Sequence, residues 1–197
     1  MGWTSYHATH YKNGKVDRKA ECDAYFTEGL NEGFYRLEKS TMIGSVYYAA
    51  VTGLKRYNGE KQEDVPENEQ HTFGVVFLTS VDSKDYYNFS YKDMDETCGP
   101  FCYDCPESIL KLLSPTTSEF AQKWRDGCRK HRKLRKALND LPVGSVIEFE
   151  RVDGTKRYVK HAPAFQFKKP FWYNPEGHSY IPNKNIPDGY CVIKEGK

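Results

Sequence analysis

Long apolar runs are missing from this sequence: none approaches the roughly 20 residues needed to span a bilayer. The opening MGWTSYHATHYKNGK has no apolar stretch of the kind a secretory leader carries. Tyr6 stands where N-myristoylation requires Ser or Thr. Phosphate loop, dinucleotide fingerprint, HExxH and GxSxG are all absent, which weakens enzyme readings. No internal repeat is visible. Together these gaps lead to an expectation of a soluble intracellular protein with no membrane partner.

What the chain does have is aromatics. Fifteen Tyr and eleven Phe in 197 residues supply a core without many aliphatics, because each ring buries a large area. The length suits one large domain or two small ones. Six cysteines (22, 98, 102, 105, 128 and 191) without a leader argue against a disulfide framework. The net charge of +2 hides an asymmetry, since residues 123–136 hold eight Lys or Arg and one Asp.

Local patterns predict an α+β fold. WTSYHATHY (3–11) alternates like a strand and Asn13-Gly14 ends it in a turn. Asp17 reads as an N-cap for a helix that stops near Gly29. Residues 34–57 read as a strand or strand pair, 58–70 as an acidic surface loop, and 71–81 and 86–94 as a hairpin turning at 82–85. Pro106 opens a short helix, PESILKLL. A long helix over about 118–139 follows, with the apolar stripe Phe120, Trp124, Cys128, His131, Leu134, Leu138. The period switches to two after Leu141, with Ile147 and Phe149 opposed to Val146, Glu148 and Glu150. Asp153-Gly154 signals a hairpin. The expected architecture is a mixed antiparallel sheet with helices over 1–115, a basic connecting helix over 116–140, and a small SH3-like β-barrel over 141–197.

Three constellations carry candidate chemistry. CGPFCYDC spaces Cys98, Cys102 and Cys105 like the cluster loop of radical enzymes, but follows an antiparallel strand rather than opening a large barrel. Zinc, completed by Cys22 or Cys128, fits better than an iron–sulfur cluster. A structural turn with reduced thiols fits better still, so no cofactor is expected. Around the first helix, His7, His10, Asp17, Glu21, Cys22 and Asp23 gather, with His7 and Cys22 the candidate base and nucleophile. Strand alternation sets His7 and His10 on opposite faces, against a shared metal. The third constellation is Lys123, Arg125, Arg129, Lys130, Arg132, Lys133, Arg135 and Lys136 on the long helix, able to follow a phosphate backbone. Phe171, Trp172 and Tyr173 would add stacking surfaces.

MGWTSYHATHYKNGKVDRKAECDAYF, SVYYAAV, LKRY, NFSYKDM and YDCPESILKLLSPT resemble a family of short phage, prophage and conjugative-element proteins of Gram-positive bacteria, a domain of unknown function. The resemblance covers most of residues 1–130. Where the family pattern reads MGPYYYDCP this chain reads CGPFCYDCP, so Cys105 fits and Cys98 and Cys102 depart from it. The resemblance supplies context and no mechanism. Taken with the missing catalytic motifs and the two-part layout joined by a charged helix, it leads to the expectation of a non-enzymatic accessory protein in the bacterial cytoplasm that binds and inhibits a host factor, a CRISPR-type defence nuclease being the foremost candidate. Nucleic-acid binding through the basic helix and barrel is the alternative, and a thiol- or metal-dependent enzyme the third reading.

Overall fold

The computed structural model describes residues 2–59, 61–81, 88–98, 104–164 and 167–196. The chain divides into two compact units, Met1–Arg129 and Lys130–Lys197. The division falls inside the long helix rather than on either side of it.

The first unit begins with β1 (Trp3–His7), then a small hairpin of β2 (Tyr11–Lys12) and β3 (Lys15–Val16). Asn13 and Gly14 both take positive φ, 52° and 70°, as a two-residue turn of this hand requires. Asp17 caps α1 (Arg18–Thr27), its carboxylate accepting the amides of Lys19 and Ala20 at 3.2 Å. Strands β4 (Tyr35–Ile43) and β5 (Val46–Gly53) form the expected pair. A hairpin reaches into the stretch expected as loop, β6 (Lys55–Asn58) pairing with β7 (Lys61–Asp64), with Gly59 at φ 66° just after β6. Then come β8 (Thr72–Val81) and β9 (Asn88–Asp95); the expected turn at 82–85 lies outside the described residues. The result is one antiparallel sheet in the order β1-β9-β8-β5-β4.

This sheet is covered on both faces, which is why β5 is buried at nearly every position. Cys22 and Phe26 of α1 pack with Tyr47, Val75, Phe77, Phe89 and Tyr91 on one face. Phe77 is the hub, stacked on Tyr91 at 4.6 Å and on Phe26 and Tyr47 at 5.6 Å. The other face takes α2 (Glu107–Leu110), a single turn where a longer helix was expected, and the first half of α3 (Glu119–Asp140). The buried stripe of α3 starts at Ala121, not Phe120, which is 56% exposed. Gly74 lets Trp124 reach the sheet, since a Cβ there would sit 2.9 Å from the indole. Beside it Arg125, 8% exposed, holds Glu96, 2% exposed, through two hydrogen bonds of 2.7 Å and donates a third to the Ser114 carbonyl at 2.8 Å.

The second unit takes the rest of α3 and a five-stranded antiparallel sheet. Its strands are β10 (Val146–Arg151), β11 (Gly154–His161), β12 (Phe171–Asn174), β13 (Ser179–Ile181) and β14 (Cys191–Lys194), in the order β13-β12-β11-β10-β14. Gly154, at φ 100°, closes the expected β10–β11 hairpin. Ile147, Phe149, Tyr158, Trp172 and Ile186 form the core with Leu138 of α3. Lys160 is buried beneath them, its ammonium donating to the carbonyls of Leu138, Asn139 and Leu141 at 3.2, 2.8 and 2.6 Å. It thereby satisfies the orphan carbonyls where α3 ends. Burial pushes its pKa below the usual lysine range. Among the described residues, no helix is long and apolar enough to cross a membrane.

Candidate nucleic-acid interface

Alternation along β12 decides which aromatics face outward. Trp172 is fully buried, its Nε1 donating to Asn183 Oδ1 at 2.7 Å, so the expectation that it offers a stacking surface is corrected. The period of two that buries Trp172 turns Phe171 and Tyr173 to the opposite face. The register sets His161 opposite Phe171 and Tyr180 opposite Tyr173. Phe167 joins them from the preceding segment, 4.4 Å from Phe171 and 5.3 Å from Tyr180. His161 stacks on Phe171 at 5.5 Å and 15°, and Tyr180 lies 5.6 Å from Tyr173. The five rings form a continuous platform on the outer sheet face. Tyr180 is 52% exposed, which a ring serving only the core would not be.

The same unit holds a cleft of about 620 Å³, bordered by Lys160 from the Trp172 side of the sheet and by α3. Arg135, Lys169 and Lys184 line it with Asn139 and Asn183, and no carboxylate does; the Lys160 ammonium is already engaged by three carbonyls. Lys169 lies two residues before β12 and Lys184 three residues after β13. Arg135 is fixed there by the Asn183 carbonyl at 2.5 Å and by Asp188 at 3.4 Å. Residues 130–197 hold 14 Lys or Arg against 7 Asp or Glu, a net +7; residues 1–129 hold 15 against 20, a net −5. Rings for bases with cations for phosphates is the combination that single-stranded nucleic acid requires.

The basic helix residues divide by fate. Arg125 is removed from the candidate interface, because burial against Glu96 leaves its guanidinium nothing to offer a phosphate. Lys123 pairs with Glu119 at 3.8 Å and Arg129 with Glu107 and Asp126 at 3.6 and 3.4 Å, all in the first unit. Lys130, Arg132, Lys133 and Lys136 are exposed, and none of them is ion-paired among the described residues. The sequence reading missed Phe167, Tyr180, His161, Lys169 and Lys184. Strand parity at Phe-Trp-Tyr was the available signal, since three consecutive strand residues cannot all face outward.

The thiol constellations come out differently. Cys22 is fully buried, and burial first, with Asp23 and Glu21 adding to it, drives its thiol pKa far up. That is the reverse of nucleophile activation. His7 sits exposed at the end of β1 opposite Asn88. It borders a cleft of about 400 Å³ that Cys22 does not line. His10 lies between Glu21 and Glu28 at 3.6 and 3.5 Å, while Glu21 also accepts the amides of Thr9 and His10. Asp23 accepts the Ser40 and Tyr47 hydroxyls at 2.6 and 2.8 Å. The acids of α1 thus fasten the neighbouring strands and loop.

Cys105 is fully buried under α2, and Cys98 donates to Asp95 at 3.6 Å; Cys102 lies outside the described residues. Among the described residues, no three His, Cys, Asp or Glu side chains are arranged to hold a metal. Thiol reactivity reads this arrangement directly. With a disulfide reagent, exposed Cys191 is expected to react at once, and Cys22, Cys105 and Cys128 about a hundredfold or more slowly until denaturant is added. Fast modification of Cys22 in the native protein would reopen the nucleophile reading.

No family model, curated protein or solved structure matches this chain.

Proposed function

We propose that the chain is a phage or mobile-element accessory protein that works by binding, and that residues 130–197 bind single-stranded nucleic acid. One observation carries this reading: the unit that bears the outward platform of His161, Phe167, Phe171, Tyr173 and Tyr180 also holds a cleft with cations and no carboxylate in its lining. Stacking on such rings is indifferent to sequence, because every base has a π-face. The positive potential of a +7 unit draws the phosphates in. In finer detail we read this unit as an SH3-like barrel. Its last strand returns beside its first, the step that rolls a meander towards closure.

The test is fluorescence anisotropy of the full chain with a labelled 20-nucleotide single strand and its duplex. Binding to the single strand is expected to be tighter and to weaken steeply with salt. Tyr180→Ala, at an exposed site, is expected to lower affinity about tenfold. Lys133→Glu with Lys136→Glu is expected to flatten the salt dependence. Absence of binding at low salt, or binding indifferent to Tyr180→Ala, defeats the proposal.

A second reading gives the other unit a partner. The net −5 of residues 1–129 favours docking on a basic host protein, a defence nuclease being the foremost class. Affinity capture from the bacterial host that recovers no nuclease or defence protein would count against it.

A further inference from the structure

A third cavity, also wholly within residues 1–129, has a different chemistry. It measures about 200 Å³ and lies beside the aromatic core over the α1 face of the sheet. Tyr25, Tyr35, Phe73 and Phe77 are among the residues that wall it, as are Asp93 and Asp95. The rings meet largely edge to face, Tyr25 on Phe77 at 5.6 Å and 84° and Tyr35 on Phe73 at 6.5 Å and 75°.

The carboxylates are there by register. Asp93 is opposite Phe77 and Asp95 opposite Val75, and directly opposed residues share a face, so both acids stand on the aromatic side of the sheet. Asp95 is locked in place: its Oδ1 accepts the Thr97 amide and hydroxyl at 2.7 and 2.5 Å and the Cys98 thiol at 3.6 Å, and among the described residues no hydrogen bond reaches Oδ2. Among the described residues, no Lys or Arg forms a salt bridge with either acid. Burial first, then Tyr35 and Asp93, raises the Tyr25 pKa, so that wall stays a neutral phenol.

We propose that this cavity receives the guanidinium of an arginine presented by a partner protein. Aromatic faces attract a cation, and a guanidinium is the cation that is flat, weakly hydrated and able to stack. Its forked N–H groups suit two carboxylates set two residues apart on one strand face. A lysine ammonium is compact and strongly hydrated, and leaves the flat ring surfaces poorly used. The net −5 of the unit favours approach of the basic protein that would present such a side chain.

The test follows the ring resonances of Tyr25, Tyr35 and Phe73 in the full chain by NMR. The probes are a capped Gly-Arg-Gly tripeptide, N-acetyl-arginine amide, a capped Gly-Lys-Gly tripeptide and tetramethylammonium. Saturable shifts are expected with the arginine tripeptide, with weaker binding of the capped amino acid and of both other cations. Asp93→Asn keeps the shape of the site and is expected to lower affinity about tenfold. Phe73→Leu keeps apolar bulk and is expected to lower it about threefold. No saturable shift in the native protein overturns the proposal, as does binding unchanged in both variants. Lysine or tetramethylammonium binding as tightly as the arginine tripeptide overturns the guanidinium assignment. Equal affinity for tripeptide and capped amino acid overturns the protein source. No nucleic acid enters this test, so its outcome is separable from that of the 130–197 unit.

Discussion

Glu96→Ala is expected to be the most damaging single change in the first unit, costing about 3–5 kcal/mol. The carboxylate is 2% exposed and Arg125 8% exposed, so its loss strands a guanidinium away from water with only the Ser114 carbonyl left to it. Desolvation makes such a pair weak as net stabilisation and costly to break from one side. The same logic predicts that Glu96→Ala with Arg125→Ala together is less harmful than the two single costs added. A thermal melt of the full chain followed by circular dichroism checks both, with the single variant lowering the midpoint by on the order of 10 °C. Additive losses would mean that the pair is not coupled as its two 2.7 Å bonds imply.

Trp172→Ala is expected to cost the second unit about 3–5 kcal/mol, by emptying the centre of a small core. Ile147, Phe149, Tyr158 and Ile186 share that core, and few other groups can collapse into the space. Trp172→Phe keeps most of the volume but leaves Asn183 Oδ1 without the indole donor, at a cost of about 1–3 kcal/mol. Nucleic-acid binding separates the two kinds of aromatic. Trp172→Ala is expected to lose binding together with folded circular dichroism signal, whereas Tyr180→Ala loses binding and keeps the signal. Loss of binding by Trp172→Ala with the fold intact would return Trp172 to the interface.

Where information is local, the sequence was readable. Asp17 as cap, Asp153-Gly154 as turn and the opposed parities of Ile147 and Val146 each depend on neighbours within a few residues. The β6–β7 hairpin was equally local, but the polar, acidic composition of 58–70 was read as loop. Arg125 failed for a different reason. It sits four residues after Ala121, at the margin of the buried stripe, and its partner Glu96 is 29 positions back. A basic run looks uniformly exposed until the one member with a distant buried acid is known. The platform is non-local too: Phe171 and Tyr180 meet only because β12 and β13 pair, and Phe167 arrives from outside any strand. The three closely spaced cysteines drew attention by type, whereas their roles follow from burial, which type does not specify.

Gly74 has a consequence for tracing ancestry. A methyl group there meets Trp124 at 2.9 Å and Glu96 at 3.4 Å, and Glu96 in turn holds Arg125. Positions 74, 96, 124 and 125 therefore form one heritable set, and a lineage that changes one is expected to change others with it. That quartet marks kinship through packing, which overall identity does not read. A distant relative can be recognised by a glycine facing a tryptophan, with an acid and an arginine locked beside them.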